Sequence, residues 1–201
     1  MLSNLASLLR GVWLLRSPGL VKTLGDLQSA IAFMDQIKKD NPGAIVAQDV
    51  LVQGWPQGQL QLARGVRIEK GCVLALGDEF NGYGKLMIGE RTWVGQYNNF
   101  RLSGGSHIKI GKGCLISQFC SLVAANHLIN RQTPIQQNPC DRHKVNIDIG
   151  DDVWLGAGVA IMPAVVIGKG AVVGANSVVT KSIPEYEIWA GSPAGKIGER
   201  R

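Results

Sequence analysis

The sequence predicts an all-β solenoid, a parallel β-helix preceded by a short α-helical cap at the N-terminus. Three observations carry this prediction. Aliphatic residues recur every six positions over most of the 201-residue chain, without a slip at Ile149, Leu155, Ile161, Ile167, Val173 and Val179. The residue after each is very often Gly, Ala or another small one, and the 26 glycines are spread through the repeat rather than gathered in a linker. The first forty residues instead space their apolar side chains as helices do.

In that first region, Leu2, Leu5, Leu8, Leu9, Val12 and Trp13 outline one apolar face, and Pro18-Gly19 interrupts the pattern. A second helix is expected from about Leu24 to Lys39, with Leu27, Ala30, Ile31, Met34 and Ile37 as its stripe. Lys38 and Lys39 fall in its last turn, and Asn41-Pro42-Gly43 stops it. Residues 1–43 are therefore read as a helical cap, because the first coil of a solenoid exposes backbone and apolar surface. Leu and Trp beside Arg10 and Arg16 also fit a helix lying on a membrane surface, so peripheral membrane contact stays open.

From Ile45 the period is six. Besides the C-terminal run, the hits are Leu62, Ile68 and Leu74, then Ile88, Val94 and Phe100, then Ile110, Ile116, Leu122 and Leu128. A period of six is neither 3.6 nor simple alternation. Each unit is a short strand plus a turn with one aliphatic side chain inward, and three units close a triangular coil. Successive coils then stack at the strand spacing of roughly 4.8 Å. Small residues stand where the backbone turns a corner. Cys72, Cys114 and Cys120 share the fifth position of the unit, which marks them as small core fillers rather than nucleophiles. The β-helix domain is placed at residues 44–190, with residues 191–201 as a C-terminal tail. The repeat breaks near residues 53–61, 77–85 and 129–146, and such insertions must loop outward, where function usually sits.

Composition narrows the classes. Apolar residues make up 45% and charged residues 18%, which suits a packed globule, and the formal charge of +6 points weakly to an anionic partner. No dense Lys/Arg run or zinc-ligand spacing supports nucleic-acid binding, so no nucleic-acid partner is expected. The four cysteines form no CxxC pair and read as reduced thiols, consistent with a cytoplasmic protein. No signal peptide is expected, since Arg10 and Arg16 interrupt the first apolar stretch and no basic segment precedes it. No run approaches the roughly eighteen apolar residues of a membrane span.

The longest break opens immediately after Ala125-Asn126-His127. Imidazole titrates close to cytosolic pH, which suits proton removal from an attacking hydroxyl or amine. Taken alone, His127 fits equally well a solvated histidine at the edge of a coil.

The last third, "IGDDVWLGAGVAIMPAVVIGKGAVVGANSVVTKSIPEYEIWAGSPAGK", closely resembles the C-terminal signature of the hexapeptide-repeat acyltransferases, and the resemblance covers roughly residues 45 to 196. It implies a left-handed β-helix, a homotrimer with active sites between subunits, acetyl-CoA as acyl donor and no metal. "IGKGCLISQFCSLVAANH" is similar to the segment that ends in the family's catalytic histidine, which makes His127 the implied general base. Asn99 matches an asparagine that binds the acceptor in the sugar acetyltransferases; an Asn at a coil corner explains it as well. Ser103-Gly104-Gly105-Ser106 stands where those enzymes tend to carry acids, so the acceptor pocket is expected to differ.

The resemblance also implies the donor track. Trp154 would line the cleft, and Gly156, Ala157 and Ala175 would follow the pantetheine arm, with the Ala157 N–H as a candidate oxyanion donor. Thr180-Lys181 matches a step at the nucleotide end. The closing "AGSPAGKIGERR" is similar to the family's ending, with Gly195 added before Lys196 as the implied basic contact. Corner packing accounts for the small residues too, and Trp189 is expected to pack the C-terminal segment.

The function so implied is CoA-dependent acyl transfer, most simply transfer of an acetyl group to a sugar hydroxyl, or else to an amine, in surface polysaccharide biosynthesis, in the cytoplasm or at the inner face of the membrane. Alternatives are an antibiotic acceptor, a non-catalytic scaffold, and a zinc enzyme of the γ-carbonic anhydrase kind. For the last, His107, His127 and His143 are 20 and 16 residues apart, too far for its ligand pattern.

Overall fold

The computed structural model describes residues 17–54 and 58–201, so the expected helix at Leu2–Trp13 and the paired Arg10 and Arg16 lie outside the described residues. The chain divides into two compact units, Met1–Asp40 and Asn41–Arg201.

In the first unit, helix α1 runs Pro18–Asp40 and so begins well before the expected Leu24. Ser17 is the reason. Its hydroxyl accepts the Leu20 N–H at 3.4 Å and its carbonyl the Val21 N–H at 3.0 Å, while Pro18 takes the first helical position, where a missing N–H costs nothing. Lys38 and Lys39 sit in the last turn, where the carbonyl end of the helix favours cations. Met34 and Ile37 are buried, whereas Ile31 is exposed.

The second unit is a left-handed parallel β-helix of about six turns. Its first face stacks Ile45–Val46, Arg67–Ile68, Trp93–Val94, Leu115–Ile116, Trp154–Leu155 and Val172–Val173, and Glu187–Gly191 follows. The second face stacks Leu51–Gln53, Val73–Ala75, Asn99–Arg101, Ser121–Val123, Ala160–Ile161 and Val178–Val179. The third runs from Leu60–Leu62 through Lys85–Ile88, His107–Ile110 and Ile147–Ile149 to Val165–Ile167. All neighbours on these faces pair in parallel and in register, with Ile68 against Val94 and Phe100 against Leu122.

The six-residue period thus becomes a column of inward side chains on each face. Ile68, Val94, Ile116 and Leu155 stack on the first, and Leu74, Phe100, Leu122 and Ile161 on the second, all buried. Corners turn through residues in the left-handed region, among them Tyr97 (φ 57°), Phe119 (φ 61°), Asp152 (φ 59°) and Asn176 (φ 55°). The rings of Tyr97 and Phe119 stack at 5.4 Å, and Gly71 below them must lack a Cβ, which would strike the Tyr97 ring.

Two sequence expectations change. Leu128 belongs to no column: the chain leaves the coil at Ala125, which pairs antiparallel with Val145, so Leu128 lies on the excursion and is 39% exposed. Its six-residue spacing from Leu122 is coincidental. A fourth excursion also exists, at Leu102–Ser106, where the inward residues Phe100 and Ile110 stand ten apart instead of six. Residues 191–201 supply the strand Ala194–Glu199, which pairs antiparallel with Glu187–Gly191 and forms a hairpin on the last coil. In it Trp189 pairs with Val173 on one side and Lys196 on the other. Among the described residues, no helix is long and apolar enough to cross a membrane.

Phe100→Ala should lower the unfolding free energy by about 3–5 kcal/mol, because it empties the widest part of the second-face column. Leu128→Ala should change it by less than about 0.5 kcal/mol. Urea unfolding of both variants tests the reassignment of Leu128.

Candidate active site

All four excursions leave the coil at one corner, between the second and third faces. Because the coils are stacked, the excursions stack too. Leu76 N–H donates to Gln53 O at 2.9 Å, Leu102 N–H to Ala75 O at 2.8 Å and Ala124 N–H to Arg101 O at 2.9 Å. Gly105 N–H reaches Tyr83 O at 3.0 Å. Gly54 comes so near Gly77 that a Cβ would collide with the Gly77 carbonyl. The result is a continuous wall enclosing a cavity of about 800 Å³, lined by Asp78, Tyr83, Arg101, Ser103, His127 and Cys140 among others. A second cavity of about 610 Å³ adjoins it and shares Asn81, His127 and Cys140.

His127 sits on the strand Ala125–His127, the outgoing arm of the long excursion, whose return arm is Cys140–Val145. The Nδ1–H of His127 donates to the carbonyl oxygen of Asn138 at 2.9 Å. A carbonyl can only accept, so Nδ1 carries the proton, and in the neutral ring Nε2 is the nitrogen with the lone pair. Asn138 itself is buried. Its Nδ2 donates to the carbonyls of Thr133 (3.2 Å) and Pro134 (3.3 Å), and its Oδ1 accepts the Asn130 N–H at 3.2 Å. Asn138 therefore ties the excursion together through its side-chain amide and presents its backbone carbonyl to His127. Pro139 holds this residue extended, at φ −71° and ψ 128°. The Asn-Pro step was the available signal for a residue that sequence reading missed.

The hairpin Gly77–Asp78 with Gly82–Tyr83 forms the opposite wall. Asp78 accepts the Asn81 N–H at 2.6 Å, the Phe80 N–H at 2.9 Å and the Asn81 Nδ2 at 3.1 Å. The Asn81 bonds, backbone first, hold this carboxyl below its ordinary range.

The residues expected on the donor track occupy the last coils. Gly156, Ala157 and Ala175 lie at the corner between the first and second faces, one coil apart, with Trp154 on the first face beside them. Gly156 packs so closely on the next coil that a Cβ would meet Ala175 N at 2.6 Å. The Ala157 N–H bonds to no protein group among the described residues, and the Trp154 indole N–H donates to Ser117 Oγ at 3.3 Å. Thr180 and Lys181 are exposed at the other edge of the second face. Lys196 is ion-paired with Glu187 at 2.8 Å and Glu199 at 2.5 Å, which raises its pKa and lowers that of Glu187.

Asn99 is not among the residues that line either cavity. It lies on the second face two residues before Arg101, which does line the larger cavity, and its buried Oδ1 has no partner. The three histidines stay apart: His107 Nε2 lies 3.2 Å from Asp148 on the third face, and the His143 N–H donates to Asp141. Among the described residues no three His, Cys, Asp or Glu side chains gather as a metal site. Cys72, Cys114 and Cys120 are buried, each donating its thiol to a carbonyl one coil away. Burial pushes all three thiols up, Cys120 to about 11.

A stacked coil with one-sided excursions around a histidine defines a class. A family described as bacterial transferase hexapeptide (six repeats) matches residues 146–181. A putative colanic acid biosynthesis acetyltransferase, WcaF of Escherichia coli, is 35% identical over 68% of this chain and 70% of its own. A probable macrolide acetyltransferase of Lysinibacillus sphaericus is 38% identical over 48% of this chain, which spans 62% of that protein. AntD, an N-acyltransferase from Bacillus cereus in complex with dTDP and 3-hydroxybutyryl-CoA, superposes with a TM-score of 0.66 at 25% identity, covering 84% of this chain and 88% of its own. The chain belongs to the hexapeptide-repeat acyltransferases, and it is an acyltransferase.

A maleimide added to the native protein should modify Cys140, the half-buried thiol at both cavities, well before the other three. Mass mapping of the adducts checks the order, and Cys72, Cys114 and Cys120 should react only on unfolding.

Proposed function

We propose that this chain moves an acetyl group from acetyl-CoA to a hydroxyl or amine of a sugar, with His127 as general base. The observation that carries the proposal is the Asn138 carbonyl on His127 Nδ1, which leaves Nε2 as the basic nitrogen beside a cavity large enough for a sugar. The acceptor oxygen or nitrogen attacks the thioester carbonyl while Nε2 takes its proton. The imidazolium so formed keeps its Nδ1–H on Asn138 O. The tetrahedral oxyanion is met by backbone N–H groups, with Ala157 N–H as the candidate. Collapse breaks the carbon–sulfur bond, and Nε2–H returns the proton to the CoA thiolate. Atoms and charge balance without a metal.

In this reading Gly156, Ala157 and Ala175 line the pantetheine arm, Trp154 the cleft, Thr180, Lys181 and Lys196 the nucleotide end, and Asn99 the acceptor side. Their two separate edges fit a homotrimer in which a groove between subunits joins them. AntD, an N-acyltransferase bound to 3-hydroxybutyryl-CoA, supports a CoA thioester as donor, and the colanic acid relative supports a sugar acceptor in surface polysaccharide synthesis. In this reading the enzyme works in the cytoplasm or at the inner face of the membrane. A macrolide-like alcohol is the second acceptor reading, favoured by the Lysinibacillus relative.

His127→Ala should lower turnover by about 10²–10⁴-fold, read as thiol release from acetyl-CoA across sugars, nucleotide sugars and antibiotics. Near-normal release would remove His127 from the mechanism. Asn138→Ala acts only through loop position. It should cost about 1–3 kcal/mol of loop stability and lower kcat up to about a hundredfold, with KM for acetyl-CoA little changed.

A further inference from the structure

His127 borders two cavities, and their charges differ. The larger carries the carboxylates of Asp78 and Glu79 as well as the cation Arg101. The smaller, between the tip of the Gly77–Tyr83 hairpin and the long excursion, is lined by Arg142 and by no carboxylate. Arg142 makes no ion pair or hydrogen bond through its guanidinium among the described residues. Its chain neighbour Asp141 accepts the His143 N–H at 2.8 Å and is not among the residues that line the cavity.

Two further features of the smaller cavity point to a ring-shaped, hydroxyl-rich guest. Phe80, at the hairpin tip, is 95% exposed, an unusual position for an aromatic side chain. Gln136 and Gln137 line the same space, and their amides both donate and accept hydrogen bonds. A pyranose can lay its apolar face on Phe80 and its hydroxyls on the two glutamines.

From this arrangement, and resting on the acyl-transfer reading above, we infer that the smaller cavity is the acceptor subsite and that the acceptor is an acidic sugar. Its carboxylate or phosphate pairs with the Arg142 guanidinium, whose planar fork matches either anion. Its ring lies on Phe80, and its free hydroxyl or amine is directed to His127 at the shared boundary. The carboxylates of the larger cavity discourage the same anion from binding there, so charge selects the orientation as well as the partner.

The test is equilibrium binding of three probes, glucuronate, glucose 6-phosphate and glucose, to the full-length protein at low ionic strength. At least one charged probe should bind about tenfold or more tighter than glucose, and Arg142→Gln should remove that preference. Phe80→Ala should weaken the charged and neutral probes alike. Whether glucuronate or glucose 6-phosphate is preferred identifies the anion. Equal binding of all three, no binding of either charged probe, or a preference that survives Arg142→Gln overturns the inference. Because binding is read without turnover, such a failure is distinct from a failure of His127→Ala.

Discussion

Backbone hydrogen bonds from each coil to the next set every other feature of this molecule. They run parallel and in register on all three faces, so any residue is positioned by its place in the six-residue unit and by its coil number. Inward aliphatics then form columns without further specification, and corner residues adopt left-handed backbone at matching places. An insertion cannot be absorbed by such a ladder. It must leave at a corner and return to the same register, and its neighbours above and below limit where it can go.

That constraint builds the site. Four excursions from consecutive coils emerge at one edge, and neighbouring ones bond to each other, as Gly105 does to Tyr83 and Gly104 to Gly82. The longest one carries His127 outward on an antiparallel strand pair, and the Asn138 amide binds three backbone groups within the excursion. The rigid coil thus delivers the histidine to the cavity, and one buried asparagine sets which ring nitrogen is basic. The same stacking gives the last two coils, uninterrupted, a smooth corner of small residues where an extended donor can lie.

The fold was legible because a period of six has a single structural meaning once it persists through Ile149, Leu155, Ile161, Ile167, Val173 and Val179. The proposed donor residues rest on the family resemblance that the same run carries. The limits of legibility lay at the excursions. Leu128 kept the period by chance, and only the pairing of Ala125 with Val145 shows that the coil has already been left. The turn at Leu102–Ser106 was marked only by Ser103-Gly104-Gly105-Ser106, and four extra residues between two intact runs are too few to stand out as a break in the period. Asn138, Arg142 and Phe80 matter through proximity across excursions distant in sequence, which no local spacing encodes. Ser17 shows the reverse case: a capping signal was present, but Pro18-Gly19 was read as a break instead of a helix start.

The orientation of the His127 ring decides whether the coil delivers a base or a bystander. Nitrogen-15 NMR of the histidine rings, with the His127 signals assigned by their loss in His127→Ala, reports the tautomer directly. An Nδ1–H, Nε2-unprotonated neutral ring is the result expected from the Asn138 carbonyl at 2.9 Å. A neutral ring protonated on Nε2 would contradict the assignment of His127 as the general base.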